Sequence, residues 1–161
     1  MMTRGSLAFL DTNVLLSATD ESRSSHRSCR DLFDLAPGAG VHFVVTGQVF
    51  REYLVVATRP EADNGLGLSG PDAVRNVRAF RTRVHLLPES KEVVLKLIGL
   101  VGTAGVLGKR IHDANIVAAA IVHRVPVLVT DNTEDYRAFS GIDAVRSDSA
   151  AATLRQLITK R

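Results

Sequence analysis

Short continuous apolar runs alternate along the chain with longer segments in which apolar residues recur at helical spacing. The runs predict strands and the periodic segments predict helices. The predicted strands are 7–10, 41–45, 84–88, 125–130 and 142–145. The predicted helices are 24–36, 46–60, 72–83, 90–105, 113–124, 131–139 and 148–160. Continuous apolar strands that alternate with helices predict a mainly parallel sheet with helices on both faces.

Local signals set the expected ends of several helices. Thr46 is a suitable N-cap for helix 46–60, and Asp113 is expected to begin helix 113–124. The sequence Pro-Gly-Ala-Gly at 37–40 is expected to stop the first helix. Three glycines and an Asn-Gly step make 61–71 the clearest loop.

Composition restricts the class of protein. The 161 residues fit one domain, 1–161, and 45% hydrophobic with 23% charged residues is ordinary for a globular chain. The single cysteine, Cys29, excludes an internal disulfide and a cysteine-rich zinc site. Neither a signal peptide nor an apolar stretch long enough to span a bilayer is apparent, so we expect a cytoplasmic protein without a membrane partner. A formal net charge of +3 is compatible with an anionic partner.

Polar residues follow two of the predicted strands directly. Asp11-Thr12-Asn13 comes after strand 7–10, and Asp131 comes after strand 125–130. Ligands of parallel α/β sheets bind outside the carboxyl ends of the strands. If these two strands are neighbours, both carboxylates project from the same edge.

Two further acids extend this pattern. Glu52 lies on the almost wholly apolar helix 46–60 and can face inward, and Asp113 opens an apolar helix. Each acid alone has a simple explanation as a turn residue, a helix cap or a surface charge, and Asp131 or Asp135 can cap a short helix at 132–138. Carboxylates gathered at one edge repel one another and need a cation. A hard divalent ion such as Mg²⁺ suits them, and such a site is suited to phosphodiester hydrolysis.

The chain resembles the PIN domain, specifically the VapC-type toxins of toxin–antitoxin pairs. The resemblance rests on four segments in this order: LDTNVLL, FREYLVV, HDANIVAAA and VLVTDNTEDYRAF. The resemblance covers about residues 7–146. It implies a three-layer α/β/α sandwich and an endoribonuclease that depends on Mg²⁺ or Mn²⁺.

The family's acids carry over onto Asp11, Glu52 and Asp113. The fourth position falls among Asp131, Asn132 and Asp135, of which Asp131 is preferred because it is nearest the strand, with Asp135 next.

The resemblance also implies roles for these residues. Asp11 and Asp113 would hold the metal directly, while Glu52 and Asp131 would bind it through water or orient the attacking water. The supporting polar residues are Thr12, Asn13, Thr130 and Asn132, with Thr12 or Thr130 bonding a phosphate or a carboxylate. The residues expected to contact the RNA backbone are Lys109, Arg110 and His112.

The same resemblance implies an antitoxin that covers the acid-lined groove, with an Arg inserted into it, and a homodimer.

Two alternative functions stay open. A PIN-like domain that only binds RNA or protein would bind without cleaving. A phosphatase of the haloacid dehalogenase type usually has a second Asp two residues after the first, where this chain has Asn13, and a catalytic Lys.

Overall fold

The computed structural model describes residues 1–103 and 105–160. In these residues a five-stranded sheet has the order β3-β2-β1-β4-β5, and every pair is parallel. The strands are β1 (Leu7–Leu10), β2 (His42–Thr46), β3 (His85–Leu87), β4 (Val127–Val129) and β5 (Asp143–Val145). The predicted parallel sheet is confirmed.

Seven α-helices flank the sheet in the described part of the chain. They are α1 (Thr12–Thr19), α2 (His26–Ala39), α3 (Gly47–Thr58), α4 (Gly70–Arg81), α5 (Lys91–Thr103), α6 (Arg110–Val122) and α7 (Ser147–Thr159). Helix α2 packs on α7, α5 packs on α6, and α1 packs on both α2 and α3. None of the helices in 1–103 or 105–160 is long and apolar enough to cross a membrane.

Strand β1 lies at the centre of the sheet, between β2 and β4. Ala8, Phe9 and Leu10 are fully buried, as are Val127 to Val129 apart from a trace of exposed surface, because helices cover both faces of these strands. Leu10 pairs with Val129, so the residues that follow β1 and β4 emerge side by side. The prediction that these two strands are neighbours is therefore confirmed.

One helix was not predicted, and two predicted helix ends were wrong. The polar triplet after β1 begins the unpredicted helix α1, with Asp11 as its N-cap. Helix α2 continues through Pro37 to Ala39, and its C-cap is Gly40, whose φ of 69° lies in the left-handed region that ends helices. Helix α6 starts at Arg110, so Asp113 lies in its first turn and is not its N-cap.

The remaining boundaries differ by small amounts. Thr46 occupies the N-cap position of α3, but its side chain makes no capping hydrogen bond. The expected helix at 131–139 is a 3₁₀ turn, Thr133–Tyr136, and a second such turn, Glu61–Asp63, lies in the predicted loop. Helix α5 covers most of the predicted 90–105, of which residue 104 lies outside the described residues.

Candidate carboxylate site

Asp11 is the most enclosed acid of the site, with 8% of its surface exposed. Its Oδ1 accepts a hydrogen bond from the Thr12 backbone N–H at 2.6 Å. Its Oδ2 accepts from Asn13 Nδ2 at 2.9 Å, Thr130 Oγ1 at 2.7 Å and the Tyr136 hydroxyl at 3.1 Å. Burial raises the pKa of Asp11 above its ordinary value, although the hydrogen bonds from Thr130, Tyr136 and Thr12 oppose the rise. All four donors are neutral, so the carboxylate is oriented without being neutralised.

Thr130 connects the ends of β1 and β4. Its fully buried hydroxyl donates to Asp11 and accepts from Asn13 Nδ2 at 2.9 Å and from the Asn132 backbone N–H at 3.1 Å. Asn13 Oδ1 in turn accepts from the Asp131 backbone N–H at 3.1 Å. The supporting residues named from the sequence therefore lie together around Asp11.

Glu52 faces the same region from α3, with 30% of its side chain exposed. Thr12 Oγ1 donates to its Oε2 at 2.8 Å, and Gln48 Nε2 donates to its Oε1 at 2.7 Å. The His112 ring places Nδ1 at 3.3 Å from Oε1, an ion pair when that ring is protonated. Glu52 is therefore turned inward, as the apolar character of its helix suggested.

Asp113 shares an electrostatic environment with the other acids. Burial raises the pKa of Asp113 to about 6, and the negative charges of Asp11, Asp135 and Glu52 contribute to the rise. Arg110 opposes this effect. The carboxylates that follow β1, lie on α3 and lie on the 3₁₀ turn after β4 thus all act on Asp113 in α6.

Asp131 is turned toward other partners. Its Oδ1 accepts from Ser147 Oγ at 2.6 Å and from the Ser147 backbone N–H at 3.3 Å, at the start of α7. Its Oδ2 accepts from the thiol of Cys29 at 3.8 Å, and Cys29 is buried. Asp135, by contrast, is exposed, and its backbone oxygen accepts from Arg110 Nη2 at 2.9 Å.

Sequence reasoning did not identify Gln48, Tyr136 or Asn115. Two signals were available: Gln48 lies one helical turn before Glu52, where the side chains share a face, and a buried tyrosine hydroxyl needs a partner. Burial and the neighbouring Asp11 charge raise the pKa of Tyr136, which keeps its hydroxyl protonated as a donor. No pattern in the sequence pointed to Asn115.

An open groove of about 670 Å³ borders Glu52. Its lining is formed by Thr12, Gln48, Arg51, Glu52, Val55, Val56, Arg59, Leu97, Ile111, His112 and Asn115. Of the three basic residues expected at RNA, His112 lines this groove and lies 3.3 Å from Glu52. Arg110 contacts the backbone of Asp135 and acts on Asp113. Lys109 is exposed and immediately precedes α6.

The donor chemistry of the site fits a divalent cation. Within 1–103 and 105–160, no group of three or more His, Cys, Asp or Glu side chains has ready-made metal-binding geometry. The acids nevertheless supply hard oxygen ligands, and repulsion among them adds to the burial that raises the pKa of Asp113. A bound cation would relieve that repulsion.

Comparison with known proteins gives a consistent result. Residues 8–141 match the PIN domain family model. VapBC2 from Rickettsia felis, solved with a DNA fragment from its promoter, has a TM-score of 0.67 at 14% identity over 87% of this chain and 98% of that chain. DNA-bound VapBC from Salmonella typhimurium has a TM-score of 0.65 at 18% identity, over 91% of this chain and 99% of that chain. Mycobacterium tuberculosis VapC20, a sarcin–ricin loop cleaving toxin, has a TM-score of 0.59 at 13% identity, over 75% of this chain and 86% of that chain. These likenesses show the fold, and a search of curated proteins found no match.

Proposed function

This chain belongs to the PIN domain family, and on that premise we propose that it is a Mg²⁺- or Mn²⁺-dependent endoribonuclease, the toxin of a VapBC-type toxin–antitoxin pair. The observation that carries the proposal is the set of interacting carboxylates where β1 and β4 end. The sarcin–ricin loop cleaving toxin among the similar structures supports RNA as the substrate class.

In this proposal Asp11 and Asp113 hold the metal. The ion, when bound, lowers the pKa of a coordinated water and offsets negative charge on the scissile phosphate. Glu52 orients the attacking water, since Thr12 and Gln48 hold both of its oxygens in place without removing its charge. Asn13, Thr130 and Tyr136 fix the orientation of Asp11.

We assign the fourth acid to Asp135 rather than to the sequence-based preference, Asp131. Asp135 contributes to the raised pKa of Asp113, whereas the carboxylate of Asp131 is engaged by Ser147 and Cys29. Lys109, Arg110 and His112 are the proposed contacts of the RNA backbone, because cations beside the acids can bind phosphates flanking the cleaved bond.

The proposed partner is an antitoxin that covers the groove beside Glu52, and a homodimer is the proposed toxin form. Similar solved structures include VapBC and FitAB assemblies. The proposed location is the cytoplasm, as expected from the sequence.

RNA cleavage by point variants tests the activity. Asp11→Asn and Asp113→Asn should each reduce Mg²⁺- or Mn²⁺-dependent cleavage of a fluorophore-labelled RNA by about 100-fold or more, because each removes a charged ligand. Asp63→Asn, a change of an exposed aspartate in the 61–71 loop, is the matched control and should cleave like the wild type. Circular dichroism confirms that each variant is folded.

Wild-type cleavage should stop when EDTA is added and resume when Mn²⁺ is restored. Full activity in either site variant, or cleavage that persists in EDTA, would refute the mechanism. RNA binding without cleavage in every metal tested would support the binding-only alternative.

A further inference from the structure

Gln48 is a buried polar residue in the first turn of α3, with 4% of its surface exposed. Its side-chain nitrogen donates two hydrogen bonds, to Glu52 Oε1 at 2.7 Å and to the backbone oxygen of His112 at 2.9 Å. Its side-chain oxygen accepts from Asn115 Nδ2. The carboxamide therefore uses both of its N–H donors and its oxygen.

These partners fix the orientation of the amide. A flipped Gln48 would point its oxygen at two acceptors, the Glu52 carboxylate and the His112 carbonyl, and its nitrogen at the Asn115 donor. Both donor hydrogens and the oxygen would then lose their partners. Only one orientation is compatible with the surroundings.

The amide links two helices that carry acids of the site. Glu52 lies one turn further along α3, and His112 immediately precedes Asp113 in the first turn of α6. One side chain thus bonds both the carboxylate of Glu52 and the backbone next to Asp113. Loss of this link would free the two acids to change their separation.

A neutral amide is suited to this position. A lysine or arginine would orient Glu52 but also cancel its charge, and a carboxylate would add to the repulsion already acting on Asp113. Gln48 orients Glu52 and leaves its negative charge available for a cation or a water molecule.

We propose that Gln48 is a positioning residue that sets the separation of Glu52 and Asp113, and thereby tunes both the affinity for a divalent ion and the rate of RNA cleavage. The inference rests on the proposed function for its catalytic part. Its structural part, a Gln48-dependent first turn of α6, stands independently of any activity.

The test compares Gln48→Met with the wild type and with Gln156→Met, a matched change at an exposed position of α7. Methionine keeps the length of the side chain and removes all three hydrogen bonds. Asn115→Ala is a milder second variant, since it removes the partner of the amide oxygen and leaves both bonds of the amide nitrogen; it also removes a bond from Asn115 to Glu89. Three readouts are needed: Mn²⁺ affinity by titration calorimetry, kcat and KM on RNA, and hydrogen–deuterium exchange of metal-free protein over residues 110–116.

We expect Gln48→Met to weaken Mn²⁺ binding and lower kcat by about tenfold, the usual effect of removing a group that orients a metal-site ligand. The KM for RNA should stay unchanged, since the inference gives Gln48 no RNA contact, and exchange over 110–116 should accelerate. Asn115→Ala should shift the same quantities less, and Gln156→Met should shift none of them.

The proposal is overturned if Gln48→Met has the same kcat, Mn²⁺ affinity and hydrogen exchange as the wild type. It is also overturned if the variant shows a uniform loss of stability together with a rise in KM. If the wild type itself neither binds Mn²⁺ nor cleaves RNA, the proposed function fails. The exchange data then decide alone: faster exchange over 110–116 in Gln48→Met upholds the structural part, and unchanged exchange overturns it.

Discussion

Asp113 carries a charge that the folded protein disfavours when no cation is bound. Burial raises the pKa of Asp113 from 3.8 to about 6, and the charges of Asp11, Asp135 and Glu52 add to this effect. The protonated form is therefore favoured by folding and the ionised form is penalised. Such a cost at a functional position is common, because activity needs charges that stability does not.

Replacing Asp113 by Asn should stabilise the metal-free protein at pH 8. The penalty for ionised Asp113 is fully present above the folded pKa of about 6 and disappears as the pH falls toward 3.8, the unfolded value. Asp113→Asn should thus raise the free energy of unfolding at pH 8 by on the order of 1 kcal/mol, a value reduced for partial solvent exposure. Urea unfolding in EDTA at pH 8 and pH 4 measures the gain and its loss.

The exposed Asp63→Asn is the control for this comparison and should show no pH-dependent difference from the wild type. A variant Asp113→Asn that is less stable than the wild type at pH 8 would contradict the prediction. It would mean that Asp113 makes favourable contacts that outweigh the repulsion from its neighbours.

The sequence identified the acids more easily than the groups that orient them. Asp11 and Asp131 were found because the end of an apolar strand is visible in the pattern, and the topology of a parallel sheet brings such ends together. The side-chain partners of Asp131 could not be foreseen. They depend on the conformation of the turn after β4. In that conformation Ser147 contacts the carboxylate of Asp131, and Arg110 contacts the backbone of Asp135.

Among the elements, α1 was missed for a definite physical reason. No residue of this helix is exposed, so its polar residues do not gather on a solvent-facing side and its sequence lacks the period of an amphipathic helix. An Asp-Thr-Asn triplet also suits both a turn at the end of a strand and the cap of a helix, so the sequence does not distinguish the two. Pro37 had the opposite effect, because the segment was expected to stop the helix at once, whereas α2 continues two residues past the proline, to Ala39.

Helix α7 depends on a residue far away in the chain for its start. Asp131 accepts from the Ser147 backbone N–H and from the Ser147 hydroxyl, which resembles a cap supplied by another segment. The N-cap residue itself, Arg146, makes no side-chain capping bond. Asp131 therefore has a structural role that Asp135, exposed on its 3₁₀ turn, does not have.

A pair of alanine variants should separate these roles. Asp131→Ala should lower the free energy of unfolding by about 1 kcal/mol, the typical cost of a lost helix cap, and retain RNA cleavage below its melting temperature. Asp135→Ala should keep wild-type stability and lose cleavage. Thermal unfolding and the labelled-RNA assay measure the two effects. The reverse result, with folded Asp131→Ala inactive and Asp135→Ala active, would restore the sequence-based assignment.

At the scale of the whole molecule, the acids come from segments that lie far apart along the chain. Asp11 follows β1, Glu52 lies on α3, Asp113 on α6, and Asp135 follows β4. Only the completed sheet, with β1 beside β4 and β2, brings them together. An unfolded chain cannot reproduce this arrangement, so an ion that binds the site must stabilise the native state selectively.

Divalent ions should therefore raise the melting temperature of the wild type. At a free Mn²⁺ or Mg²⁺ concentration of about 100 times the dissociation constant, binding contributes about 2.7 kcal/mol, which corresponds to a rise of about 5 °C or more in a domain of this size. Asp11→Asn should lose most of this shift because it removes a ligand buried at the centre of the site, whereas Asp63→Asn should keep it. Differential scanning calorimetry, with KCl added to match ionic strength, separates ion binding from charge screening. Equal shifts with KCl and with Mn²⁺, or an undiminished shift in Asp11→Asn, would show that the carboxylates do not hold the ion.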